Sequence, residues 1–95
     1  MGFIQVDYDN AIAQAKRLEA AADQCGEAYR AIRLQSGRSE RFWQGNSGNV
    51  IRTKMAESVK ELQAVQSDLR ETAAVIRKVA EELRRKDKKH SGVHG

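Results

Sequence analysis

The chain has 95 residues and a net charge of +4; 32% of residues are charged and only 5% aromatic. A chain of this size makes at most one small domain, and its alanine-, charge- and glutamine-rich composition suits long helices better than a sheet. With no proline and a single cysteine, it lacks the strongest helix breaker and excludes an internal disulfide or a cysteine-rich metal site.

The charge is lopsided. Between Arg77 and His90 stand seven Lys/Arg and three carboxylates, so that stretch alone carries an excess equal to the whole chain's net charge. The segment Met1–Asp7 has no charged start followed by an apolar core, so a cleavable secretory signal is not expected. No apolar run approaches the roughly 18–20 residues that span a bilayer.

Helix one is expected over about residues 7–36, opening at Asp7, whose carboxylate can accept from the free amides of the first turn, with Asp9 adding favourable charge. Tyr8, Ala11, Ala15, Leu18, Ala22, Cys25, Tyr29 and Ile32 follow alternating steps of three and four, the signature of a coiled-coil seam. The alanines allow close approach of another helix. Gly26 is a weak point, worth about 1 kcal/mol relative to Ala in a helix interior. Cys25 reads as a small buried apolar residue. Ser36-Gly37-Arg38-Ser39 carries stop-type residues, which place the helix end there.

A turn is expected over about 42–48. Trp43 is a bulky anchor, and Gly45 tolerates backbone angles closed to other residues. Asn46, Ser47 and Asn49 supply turn and capping groups.

Helix two is expected over about 49–86, with Met55, Leu62, Leu69, Ile76 and Leu83 repeating every seven residues. Val59, Ala73 and Ala80 fill the intervening positions, with Val65 and Val79 beside them. Gln66 interrupts the stripe, either fixing register or sitting partly exposed at its edge. Residues 87–95 read as a disordered basic tail.

These elements predict an all-α, antiparallel helix-turn-helix hairpin forming one domain over 1–95. The second stripe is wider than a single partner covers, so two hairpins are expected to pair as a four-helix bundle. The seam residues expected to carry core and dimer contacts are Leu18, Tyr29, Ile32, Met55, Val59, Leu62, Leu69 and Ile76.

Catalytic, cofactor-binding and metal residues are not expected. His90 and His94 are four apart, but Ser91 and Gly92 between them do not favour a helix, and no acid or thiol stands near them in sequence. Cys25 is at the opposite end from both histidines, and the glycines form neither a phosphate-binding loop nor a dinucleotide fingerprint. The basic run Arg84–Lys89 can contact phosphate by charge. It lacks the interleaved aromatics of single-strand binders and any helix-turn-helix spacing, and cations at a helix C-terminus also complement its dipole.

With its central Phe42-Trp43-Gln44-Gly45-Asn46-Ser47-Gly48 between two long helices, the chain resembles the WXG family, the small early-secreted-antigen-like proteins of bacterial type VII secretion. The resemblance covers nearly the whole chain. It implies a leaderless substrate or co-secreted partner, cytoplasmic before export and secreted afterwards, and not an enzyme. It also implies pairing with a second copy, with a related WXG-type protein or with the N-terminal helical domain of a toxin, and presentation to a type VII secretion ATPase. Trp43 and Gly45 would lie near a composite recognition surface. The family's C-terminal Tyr-x-x-x-Asp/Glu export signal is matched only in spacing and acid by Leu83 and Asp87; both tyrosines, Tyr8 and Tyr29, lie in the first helix. The alternative is a cytoplasmic helical adaptor or nucleic-acid-associated protein using the basic end of its second helix.

Overall fold

The computed structural model describes the backbone of residues 2–39 and 45–94, and the side chains of residue 5 and of residues 7–38 and 45–87. All of the described backbone is helical, as α1 (Gly2–Ser39) and α2 (Gly45–His94). The two helices pack against each other as a hairpin, and no strand occurs among the described residues. Trp43 lies outside the described residues, as do the neighbouring positions of the expected turn up to 44.

Both helices are longer than the sequence predicts. Helix α1 starts at Gly2 and leaves Asp7 exposed in its interior. Asp7 therefore does not cap the helix; the favourable interaction of a carboxylate with free amides is confined to the first turn. Asp9 instead accepts from Gln5 Nε2 at 3.1 Å, one helical turn back. At the other end α1 runs through Ser36 and Gly37 to Ser39. A glycine weakens a helix by about 1 kcal/mol but does not by itself stop one. Helix α2 begins at Gly45, inside the expected turn, so Asn46, Ser47 and Asn49 are helical. Asn49 Oδ1 accepts from Arg52 at 2.6 Å, a contact between residues three apart on one helical face. The helix continues to His94, through the segment expected to be disordered; Lys and Arg are good helix formers.

Contacts divide the chain into two units, each holding a stretch of both helices: Met1–Ala20 with Leu69–Gly95, and Ala21–Asp68. In the first unit Tyr8 meets Glu81 and Glu19 meets Arg77. The earlier residue pairs with the later one, so the helices run antiparallel. Among the described residues of this unit, Ala15, Ala73 and Ala80 are buried.

In the second unit the buried residues include Ala22, Gly26, Val59 and Gln66. Gln66 is only 8% exposed, which corrects the expectation of a partly exposed edge residue. Its Nε2 donates to the main-chain oxygen of Ala22 at 3.0 Å. That carbonyl also faces the amide of Gly26 along the helix, and its two lone pairs can serve both donors. Gly26 makes the contact possible: a Cβ built there would fall 2.7 Å from Gln66 Nε2. The glycine is thus the close-approach point between the helices of this unit.

Candidate functional site: the apolar flank of the hairpin

The sequence repeats one arrangement along both helices. Each position of the innermost line has an apolar or small residue three places on and, at most positions, a polar one four places on. Ala15 is followed by Leu18 and Glu19, Val59 by Leu62 and Gln63, Ala73 by Ile76 and Arg77, and Ala80 by Leu83 and Arg84. Positions three and four apart lie to either side of a helical line. The innermost line therefore has an apolar flank and a polar one.

In the first unit the polar flank is closed by pairs. Arg77 binds Glu19 through two hydrogen bonds of 2.7 and 2.9 Å, the bidentate geometry that a planar guanidinium favours. The hydrogen bond from Arg77, and to a smaller degree its charge, holds the Glu19 carboxyl below the usual carboxylate range. The same bond raises Arg77. Tyr8 donates its hydroxyl to Glu81 at 2.6 Å, and the Arg84 guanidinium lies 4.7 Å from the centre of the Tyr8 ring, within cation–π range. No buried side-chain nitrogen or oxygen among the described residues lacks a partner.

The apolar flank is less covered. Leu18, Leu69 and Ile76 in the first unit, and Cys25, Ile32, Met55 and Leu62 in the second, are half-buried. Beside them Val65, Val75 and Val79 are largely exposed, and Leu83 is 57% exposed. Within this chain Leu83 is therefore not core, although its spacing continues the seam; Asp87, four residues on, is half-buried. Cys25 carries a free thiol and is half-buried where full burial was expected.

Of the larger seam residues expected to carry core and dimer contacts, only Val59 is buried, alongside the seam alanines Ala15, Ala22, Ala73 and Ala80; Tyr29, on the innermost line, is half-buried, with Arg30 and Arg33 stacked on its ring at 5.7 and 5.2 Å. The others form the flank. Sequence reasoning did not single out Gly26 and Gln66 as a pair, nor Glu19 with Arg77. The signal for the second pair was available, since both occupy the same offset from a buried alanine.

Gly45, the described residue of the tripeptide, has a φ of +79°, a left-handed backbone angle of the kind that the sequence reading expected glycine to tolerate. No helix among the described residues is long and apolar enough to cross a membrane, and none of their acidic, His and Cys side chains gather in a metal-holding group. No family model, curated protein or solved structure matches the chain.

Proposed function

We propose that this protein is a leaderless substrate or co-secreted partner of a bacterial type VII secretion system, acting as a paired helical hairpin and not as an enzyme. The observation that carries the pairing is the half-covered line Leu18, Leu69 and Ile76 in one unit and Ile32, Met55 and Leu62 in the other. Large aliphatic side chains left half in water lose part of the roughly 1.5–3 kcal/mol that full burial of each provides. A second hairpin laid against the flank recovers it, giving a four-helix bundle. The secretion reading is supported by the Trp43-Gln44-Gly45 order between two long helices and by the left-handed Gly45 that begins α2. The Trp43–Gly45 motif would lie near the surface recognised by an export ATPase, and Leu83 and Asp87 would stand as a degenerate export signal. A second copy is the proposed partner; a related WXG-type protein or a toxin's helical domain would use the same flank.

The test is export itself. In a strain carrying the secretion ATPase the protein should accumulate in culture supernatant, and deletion of the ATPase should return it to the lysate. Lysate-only protein, indifferent to the ATPase, rejects the secretion reading. Pairing is tested separately by sedimentation. Leu62→Asp places a charge in the covered flank and should halve the mass, and an unchanged mass rejects this interface.

A second reading has one observation in its favour: Lys78, Arg85 and Lys86 are exposed along α2. A cytoplasmic adaptor or nucleic-acid-associated protein would use them on phosphates. Binding to duplex DNA that weakens steeply with salt would support it over export.

A further inference from the structure

The outer faces of the second unit carry opposite charge. Residues 28–38 hold three arginines and no acid. Among them Leu34 stands five residues beyond Tyr29 of the innermost line, about 140° around the helix, so it points away from α2 and is 56% exposed. Arg30 and Arg38 lie four residues to either side of it, on the same face, and both are exposed. The Arg30 guanidinium also lies 5.7 Å from the Tyr29 ring centre. The nearest acid of α1 on this face, Glu27, is seven residues from Leu34, about 10 Å along the axis.

The acidic counterpart is on α2. Ala64 stands five residues beyond the buried Val59, so it too points outward. It belongs to the line Glu57, Glu61, Ala64 and Asp68, whose steps of four, three and four keep them on one face, and all four are exposed. Lys60, at the border of this line, is the single cation of residues 57–68. Neither face belongs to the apolar flank, which lies three residues on from the innermost line, not five.

We propose that these two faces are the halves of one interface: a second copy of this chain lays the acidic line of its α2 across Leu34 and the flanking arginines. Leu34 rests on the small Ala64, Arg30 meets Asp68 and Arg38 meets Glu61. Charge complementarity selects this occupant, because one chain supplies both signs, each set around an exposed apolar residue. Arginine suits the role, since its planar fork matches a carboxylate in two bonds. Basic face against basic face, or acidic against acidic, would set equal charges together. The contact is therefore between unlike surfaces and can repeat from copy to copy. Exposed ion pairs add little each, so the association is weak and salt-sensitive. It rests neither on the secretion reading nor on pairing through the flank.

Light scattering of the full chain over a concentration series tests it. In low salt the weight-average mass should at least double as concentration rises, and in high salt it should stay flat. The flat value reads flank pairing, one hairpin or two, and the growth reads this interface, so either can fail alone. Arg30→Glu with Arg38→Glu should abolish the growth, and so should Glu61→Lys with Asp68→Lys. All four positions are exposed, so circular dichroism should stay unchanged. An equimolar mixture of the two variants should grow again, because each supplies the charge that the other has lost. Lys78→Glu with Arg85→Glu should leave the growth intact. A flat mass for the parent in low salt overturns the proposal, as does growth that survives either reversal. So does a mixture that stays flat, since the two faces would then not meet each other. Capture of a glutamate-rich peptide or of phosphatidylglycerol vesicles through Arg30 and Arg38, by a parent chain whose mass stays flat, assigns the arginines to a different partner and overturns it too.

Discussion

The two units of this hairpin solve the same packing problem by different chemistry. In the first, a buried line of alanines is flanked by pairs that reach between the helices, Arg77 to Glu19 and Tyr8 to Glu81. In the second, the described residues include a buried polar contact, Gln66 to the Ala22 carbonyl, seated over Gly26, and beyond it an open cleft lined by Ile32, Met55 and Val59. Pairs on a wet flank add little free energy and mainly favour one alignment. A buried amide hydrogen bond is different, because leaving its partners unsatisfied costs about 1–3 kcal/mol. Alignment should therefore be diffuse in the first unit and concentrated at one point in the second.

The largest expected effect comes from enlarging the alanine line. Ala73→Leu puts a branched side chain where the parent residue is 0% exposed, and overpacking of this kind costs about 1–3 kcal/mol or more. Thermal unfolding should show a clear fall in midpoint, whereas Val75→Leu, at an exposed site on the same helix, should leave it nearly unchanged. Equal effects would show that the line is not the packing centre.

Next is the concentrated point. Gln66→Ala should destabilise by about 1–2 kcal/mol through the lost hydrogen bond and the gap it leaves. Gly26→Ala alone should be neutral or unfavourable, because the new Cβ meets the glutamine amide and offsets the gain in helix propensity. In the Gln66→Ala background the closest clash is gone and only the flexible Arg30 guanidinium, 3.2 Å away, must shift, so the same change should stabilise by up to about 1 kcal/mol. A double-mutant cycle in denaturant reads this reversal of sign; additive effects would separate the two residues.

The smallest effect concerns Glu19. Its folded-state carboxyl is lowered by the Arg77 hydrogen bond, so its contribution is fully present above the unfolded value, about 4.3 for glutamate. That contribution is lost as pH falls through the lowered folded value. The pair is exposed, so the difference in melting temperature between parent and Glu19→Gln should be slight at neutral pH and vanish in acid. A difference that grows on acidification would contradict the assigned cause.

Much of the fold was legible from periodicity. Steps of three and four, the absence of proline and a central glycine pointed to two antiparallel helices and to Gly45 as the residue of permissive backbone. Which positions of the predicted seam go innermost was not legible. Heptad reading gives weight to the largest aliphatics, Met55, Leu62, Leu69 and Ile76, yet those are half-buried while Ala15, Ala22, Ala73 and Ala80 are enclosed. Two helices in close approach admit small residues at the centre and push large ones to the side. The pairing of Gln66 with Gly26 escaped for a related reason: here the glutamine is enclosed where the glycine opposite makes room, and the two are 40 positions apart. Helix ends were missed because Ser, Asn and Gly permit a stop without enforcing one.

Gly45 carries a stereochemical consequence. An added Cβ would meet no atom of the described residues within 4 Å, whereas its φ of +79° is one that L side chains rarely adopt, so handedness explains the glycine. L-Alanine there should cost about 1 kcal/mol. A D-alanine introduced by chemical ligation would adopt the same dihedral at ease and stiffen the reversal, leaving the unfolded chain fewer conformations to explore. The bend is a chiral element, and its mirror-image residue, not its size, is what would reinforce it.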